Sequence, residues 1–218
     1  MLERLSTLWS WLLPARCLLC HRSGDYLCLN CIYKLPPASD TPVNTLALYD
    51  YQHPDVKKII WSLKYRRLRG VAPILGRLVA DRLIEETAEL QNLHPAMTMP
   101  WLIVPIPLSK KRQRDRGFNQ SLLLAEALER CYPKVFRASP EVLKKIRETP
   151  AQASLKDRKT RLTNLRGAFA LREPESIRGR AVIIVDDVST TGATLREAEQ
   201  TLRPAKPRLI LKVALAQG

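Results

Sequence analysis

Two groups of residues in this chain have types and spacing that could do chemistry: four cysteines near the start and an acidic loop near the end. In CLLCHRSGDYLCLNC, Cys17 and Cys20, then Cys28 and Cys31, form two CxxC pairs separated by seven residues. Each pair can present two thiolates from one tight turn. Two such turns brought together make the tetrahedral sulfur site that zinc prefers. Gly24 and Asp25 supply the reversal between them. The spacing favours structural zinc. Redox chemistry is the rival, although one CxxC beside a βαβ unit would suffice for it. His21 reads as a surface neighbour rather than a ligand, and Cys131 as a half-buried thiol. In VIIVDDVSTTGAT, an apolar strand ends in Asp186 and Asp187 and turns into a helix. Ligands of open α/β sheets bind at that end, where free helix N–H groups attract phosphate. Ser189, Thr190, Thr191, Gly192, Ala193 and Thr194 are the candidate phosphate cradle. A Walker B strand looks similar, but no GxxxxGK[ST] accompanies it. A strand ending in a polar turn is the bland alternative.

Periodicity indicates the elements that hold these residues. Val56, Ile59, Ile60 and Leu63 recur at helical spacing, with Lys57, Lys58 and Lys64 on the opposite face. Residues 74–90, 117–130 and 193–203 read as further helices, and 45–51, 102–104, 181–185 and 208–214 as strands. Strands alternating with helices predict an α/β fold with a mainly parallel sheet flanked by helices. The prolines between Leu35 and Pro42 mark a linker. The expected organisation is an amino-terminal helix and finger at 1–36, a linker and first strand at 37–50, and the α/β domain at 51–218. Leu2, Leu5, Leu8, Trp9 and Leu12 fit an amphipathic helix better than a signal peptide, because Glu3 interrupts the basic region and no small-residue cleavage site follows. No later run approaches the length of a membrane span. With an odd cysteine count, a cytoplasmic protein is expected, touching at most the inner face of the membrane.

Charge is unevenly spread. The chain has 218 residues and a formal net charge of +15. Nearly all the excess lies in residues 56–70, 110–116 and 156–166, so anionic partners are expected, either phosphorylated small molecules or nucleic acid.

The loop at 182–194 resembles the phosphoribosyl pyrophosphate (PRPP) motif of type I phosphoribosyltransferases. VKKIIWSLKYRR, VPIPLSKKRQRDRGFNQS and TPAQASLKDRKTRLTNLRGAF narrow the resemblance to the ComF/GntX family, many of whose members carry an amino-terminal four-cysteine finger. The resemblance implies a type I phosphoribosyltransferase-like fold in which Asp186 and Asp187 hold the ribose hydroxyls and residues 189–194 cradle the 5′-phosphate. It assigns Ser109, Lys110, Lys111 and Arg116 to the pyrophosphate side, with Asn119 and Gln120 serving the site or capping a helix. It assigns Gln152, Arg158, Arg161 and Asn164 to a loop closing over PRPP, and Mg²⁺ to the pyrophosphate.

The basic residues exceed what one PRPP needs, and the family is associated with DNA uptake in natural transformation and with DNA utilization. Lys57, Lys58, Lys64, Tyr65, Arg66, Arg67 and Arg69 are therefore candidate contacts to single-stranded DNA, with Tyr65 and Phe118 either stacking on bases or sitting in the core. The favoured expectation is a competence or DNA-utilization protein that binds PRPP and handles single-stranded DNA. The alternative is an active phosphoribosyltransferase on an unidentified acceptor. In a third reading the finger docks a competence helicase or membrane DNA channel.

Overall fold

Seven strands form in a computed structural model that describes residues 15–39, 41–65, 70–93, 100–149 and 165–218. They are β1 (Thr45–Asp50), β2 (Trp101–Pro105), β3 (Phe136–Ala138), β4 (Leu143–Lys145), β5 (Phe169–Leu171), β6 (Ala181–Ser189) and β7 (Leu209–Gln217). Five of them make one sheet in the order β1-β7-β6-β2-β3, with every neighbouring pair parallel. β4 and β5 pair antiparallel, apart from that sheet. The central strands are covered on both faces, which is why they read as continuous apolar runs. Successive residues still alternate between two cores. Trp101, Ile103, Ile183, Val185 and Val213 join one, and Leu102, Val104, Val182, Ile184 and Ala214 the other.

The helices are α1 (Leu29–Ile32), α2 (Pro54–Tyr65), α3 (Val71–Leu93), α4 (Lys110–Arg116), α5 (Gln120–Cys131), α6 (Pro174–Ile177) and α7 (Ala193–Leu202). The apolar stripes of α2, α3 and α5, including Ile59, Leu63, Val79, Leu83, Leu124 and Leu128, cover the first face. Leu195, Ala198 and Leu202 of α7 cover the second. None of these helices is long and apolar enough to cross a membrane.

The predicted helix at 117–130 forms as α5 but starts at Gln120, and α4 at Lys110–Arg116, which precedes it, was not expected. Ser109 caps α4 by accepting from the Arg112 N–H, and Gly117 ends it with φ of 79°. That left-handed conformation suits glycine and terminates a helix rather than starting one. Asn119 then caps α5 by accepting from the Ser121 N–H at 3.1 Å, while its side-chain amide donates to the Ile106 carbonyl at 2.9 Å. The segment after β2 is thereby tied to the start of α5.

From β2 the chain reaches β3 through α5, and from β6 it reaches β7 through α7 on the other side. The order of connection reverses between β2 and β6, and a crevice opens at their carboxyl ends. The helical layer beside it is tightly fitted: a Cβ on Gly76 of α3 would lie 2.2 Å from the Ala127 Cβ of α5. Gly76→Ala is expected to destabilise the fold by about 1–3 kcal/mol, read as a lower urea midpoint. Adding Ala127→Gly should recover part of the loss. An unshifted midpoint in the single variant would contradict this close crossing.

Candidate functional site

A pocket of about 490 Å³ occupies the crevice between β2 and β6. β6 delivers Asp186 and Asp187 to its floor. Asp186 Oδ1 accepts from Ser121 Oγ of α5 at 3.0 Å and from the Asp187 N–H at 2.8 Å. Asp187 Oδ1 pairs with Lys64 Nζ of α2 at 3.0 Å. Burial, joined by the Asp187 charge, pushes Asp186 up to about 7, against the opposing pull of Lys64 and the two hydrogen bonds. Burial alone would favour a neutral Lys64 amine, but the Asp187 carboxylate outweighs it and raises the Lys64 pKa. Lys64 is therefore a fixed cation beside two crowded acids.

The loop that follows is held open by its own backbone. Gly192 takes φ of 70° at the N-cap of α7. The Arg196 guanidinium donates to the Thr191 carbonyl, and Gln217 Nε2 to the Thr190 carbonyl at 3.1 Å. The Gly218 N–H donates to the Ser189 carbonyl at 3.0 Å. Residues 189–194 line the pocket. Ser189 Oγ, Gln120 Nε2 and Thr149 Oγ1 are buried at pocket-lining residues without a hydrogen-bond partner among the described residues. A polar ligand would satisfy them.

Five cations, Lys57, Lys64, Arg112, Arg116 and Lys145, line the pocket against Asp186 and Asp187. Arg112 donates to the Thr149 carbonyl at 2.9 Å, and Arg116 to Gln120 Oε1 at 3.0 Å. Burial and then Arg112 bring the Lys145 amine down to about 8. The walls are thus set for an anion with polar substituents.

Several sequence expectations are redistributed. Asp186, Asp187, residues 189–194, Arg116 and Gln120 come together as expected, while Asn119 caps α5. Lys110 and Lys111 are exposed and, like Ser109, do not line this pocket. Ser109 is engaged by Glu148, whose carboxyl is held below its usual range by the Ser109 hydroxyl, burial opposing, and by the Lys111 N–H. Lys110 instead lines a neighbouring groove of about 320 Å³ with Lys144, Lys145 and Arg172. Lys64 is corrected: it turns inward to Asp187, whereas Lys57 and Lys58 are exposed. Phe118 is buried and is a core residue. Arg66, Arg67, Arg69, Gln152, Arg158, Arg161 and Asn164 lie outside the described residues, as does the side chain of Tyr65. Sequence reasoning missed Arg112, Ser121 and Lys145. Only Arg112, inside an expected basic stretch, carried a signal.

The cysteines converge independently of this pocket. The four sulfur atoms lie within 4.8 Å of one another, with Cys20 and Cys28 at 3.7 Å. A tetrahedron with Zn–S bonds of about 2.3 Å has sulfur–sulfur edges of about 3.8 Å, so the donor set fits that ion. Burial opposes ionisation of Cys17, but the N–H groups of Cys20, Cys28 and Leu19 bring it down to about 6. Burial and the neighbouring thiols push Cys31 up to about 12. His21 is exposed and stands outside the cluster, as expected. Cys131 is half-buried at the end of α5.

Comparison with known proteins agrees with this geometry. A phosphoribosyl transferase domain model matches residues 124–217, which include β6, α7 and β7. The DNA utilization protein YhgH of Escherichia coli O6:H1 is 35% identical over 179 residues, 80% of this chain and 70% of that one. Competence protein F of Haemophilus influenzae is 34% identical, covering 59% of this chain and 55% of its own length. Competence protein ComFC of Bacillus subtilis is 33% identical, covering 65% and 52%. Identity at that level, sustained across most of the sequence and anchored in a phosphoribosyltransferase-like fold, means that the chain belongs to the ComF family of competence and DNA-utilization proteins.

Proposed function

We propose that this protein binds PRPP in the pocket between β2 and β6 and acts in the handling of single-stranded DNA. The observation that carries the first part is the convergence of a carboxylate pair, a helix N-terminus and unpartnered buried polar groups on one pocket lined by five cations. Asp186 and Asp187 accept the ribose hydroxyls. Residues 189–194 receive the 5′-phosphate. Arg112, Arg116 and Lys145 face the pyrophosphate, to which Mg²⁺ would supply charge neutralisation when bound. The second part is supported by the names of the relatives and by Lys58, which is exposed on α2 and has no acidic partner among the described residues. The four cysteines hold zinc in this reading, fixing a finger too small to sustain a core unaided.

Calorimetric titration should show PRPP affinity at least tenfold lower for Asp186→Asn with Asp187→Asn than for the unaltered chain; equal affinity would remove the pocket from consideration. A carboxylate must be ionised to accept two sugar hydroxyls, and Asp186 titrates at about 7. Affinity should therefore rise with pH between 6 and 8, and Asp186→Asn should flatten that portion of the profile.

Elemental analysis should find one zinc per chain. A strong chelator should lower Tm by more than about 5 °C, corresponding to roughly 2 kcal/mol in a chain of this size; retained Tm after complete zinc loss would deny it a structural part.

For DNA, neutralising Lys58, Arg66 and Arg67 together should flatten the log–log salt dependence of oligo-dT binding by about 2, at roughly 0.7 per lost phosphate contact. Fluorescence anisotropy reads this, and an unchanged slope would place the DNA elsewhere.

A further inference from the structure

Lys64 is the one cation in the pocket that forms an ion pair with the acidic loop among the described residues. It comes from α2, far away in sequence, and its side chain is largely enclosed, at 19% exposure against 10% for Asp187. Two adjacent carboxylates at the end of a buried strand repel each other and have lost much of their hydration. Ser121 and the Asp187 N–H stabilise Asp186 with hydrogen bonds but contribute no net charge. The formal charges facing this pair come from every side of the pocket. Lys64 lies on α2, and Arg116, which opposes the Lys64 charge, at the end of α4. Lys145 of β4 also senses Asp186. Lys57 of α2 lines the same pocket, where its ammonium reaches Gln52 at 3.4 Å and lies 5.9 Å from the Tyr51 ring centroid. Among the described residues, only Lys64 touches an oxygen of Asp186 or Asp187.

We propose that Lys64 is a positioning residue for the ribose-binding carboxylates: its ammonium holds Asp187 in place and supplies the internal positive charge that lets both acids face the sugar as anions. The inference rests on the PRPP reading of this pocket and deepens it. The ligand of this reading is itself an anion, so the charge that compensates the two acids must belong to the protein. The amine reaches Asp187 Oδ1 from α2, an element separate from the acidic loop. Its helix is fixed by Val56, Ile59, Ile60 and Leu63, all buried in the first core. The ammonium is therefore carried on a rigid support rather than on a loop.

The test compares the full chain with Lys64→Met, which keeps the side-chain length and loses the charge, and Lys64→Arg, which restores it. The first readout needs no ligand: carbon-detected NMR titration of the Asp186 carboxyl. Its midpoint should move up by about one pH unit or more in Lys64→Met and return toward that of the unaltered chain in Lys64→Arg. The second is PRPP affinity against pH. Lys64→Met should bind about fivefold more weakly at pH 7, with most of the loss recovered by pH 9, as a one-unit rise of the midpoint requires. A folded Lys64→Met with an unmoved Asp186 midpoint overturns the inference whatever the ligand does. A loss of PRPP affinity that is the same at every pH also overturns it, because that is the signature of mere packing damage. If the midpoint moves but the unaltered chain does not bind PRPP, the charge-compensating part stands and the ligand reading falls.

Discussion

Two neighbouring carboxylates at the buried end of β6 impose the main constraint on this molecule. Like charges a few ångströms apart, withdrawn from water, do not both ionise unless the surroundings compensate them. Here the compensation comes from three separate elements. Lys64 comes from α2, Ser121 from the first turn of α5, and the Asp187 N–H from the strand itself. Each supporting group has its own reason to be there. Asn119 both caps α5 and grips the Ile106 carbonyl, so the start of the helix that brings Ser121 is indexed to the end of β2. The apolar face of α2 packs on the sheet and leaves Lys64 over its carboxyl edge. Asp186 nevertheless remains elevated to about 7. Compensation of Asp186 is therefore partial, because burial and the Asp187 charge outweigh Lys64 and the two hydrogen bonds.

A second charged arrangement, on the other face of the sheet, solves a different problem. Lys212 lies in β7 and is buried, yet Glu199 of α7 meets its ammonium at 2.8 Å and Arg203 also pairs with Glu199. Burial opposes ionisation of Glu199, but the two cations hold its carboxyl below the usual range. Such pairs add little net stability over an apolar contact, although breaking one leaves an uncompensated charge. Its value here is register. α7 begins at the loop of residues 189–192, and a helix free to slide along β7 would carry Gly192 and Ala193 with it. The ion pair fixes α7 against the same strand whose far end supports the loop through Gln217 and Gly218.

The parts of the fold legible in the sequence were those with long, unambiguous patterns. β2, β6 and β7 are buried on both faces and appear as apolar runs; α2 shows its spacing over two turns. β3, β4 and β5 are three residues each, too short for any periodicity to register. The break at Gly117 was misread because an uncharged, helix-compatible stretch follows it, and only backbone conformation reveals it as a terminator. Lys64 was misread for a different reason. A helical wheel separates Lys57 and Lys64 from the apolar face, but it cannot show that this polar face overhangs the end of a sheet. Lys57 and Lys64, seven residues apart on nearly the same azimuth, both line the pocket. Part of the charge that looked like a surface for DNA therefore lines the pocket between β2 and β6.

The same helix explains why the finger and the pocket belong to one architecture although they share no residue. Leu27, Ile32 and Leu35 of the finger enter the same core as Val56, Ile59 and Ile60 of α2. A Cβ on Gly70, just before α3, would lie 2.3 Å from the Tyr26 ring. The finger thus shares a core with the helix that bears Lys64 and meets the start of α3 at Gly70. This connection is static: it constrains where α2 lies, and nothing about it requires a second arrangement, which is what an allosteric path would need. Four thiols that meet at one point lie beside Leu27 and Ile32 in the chain, and these two enter the core that also buries the apolar face of α2, the helix that sets Lys64 against Asp187. The finger and the helix that carries Lys64 to Asp187 are therefore built on one continuous core.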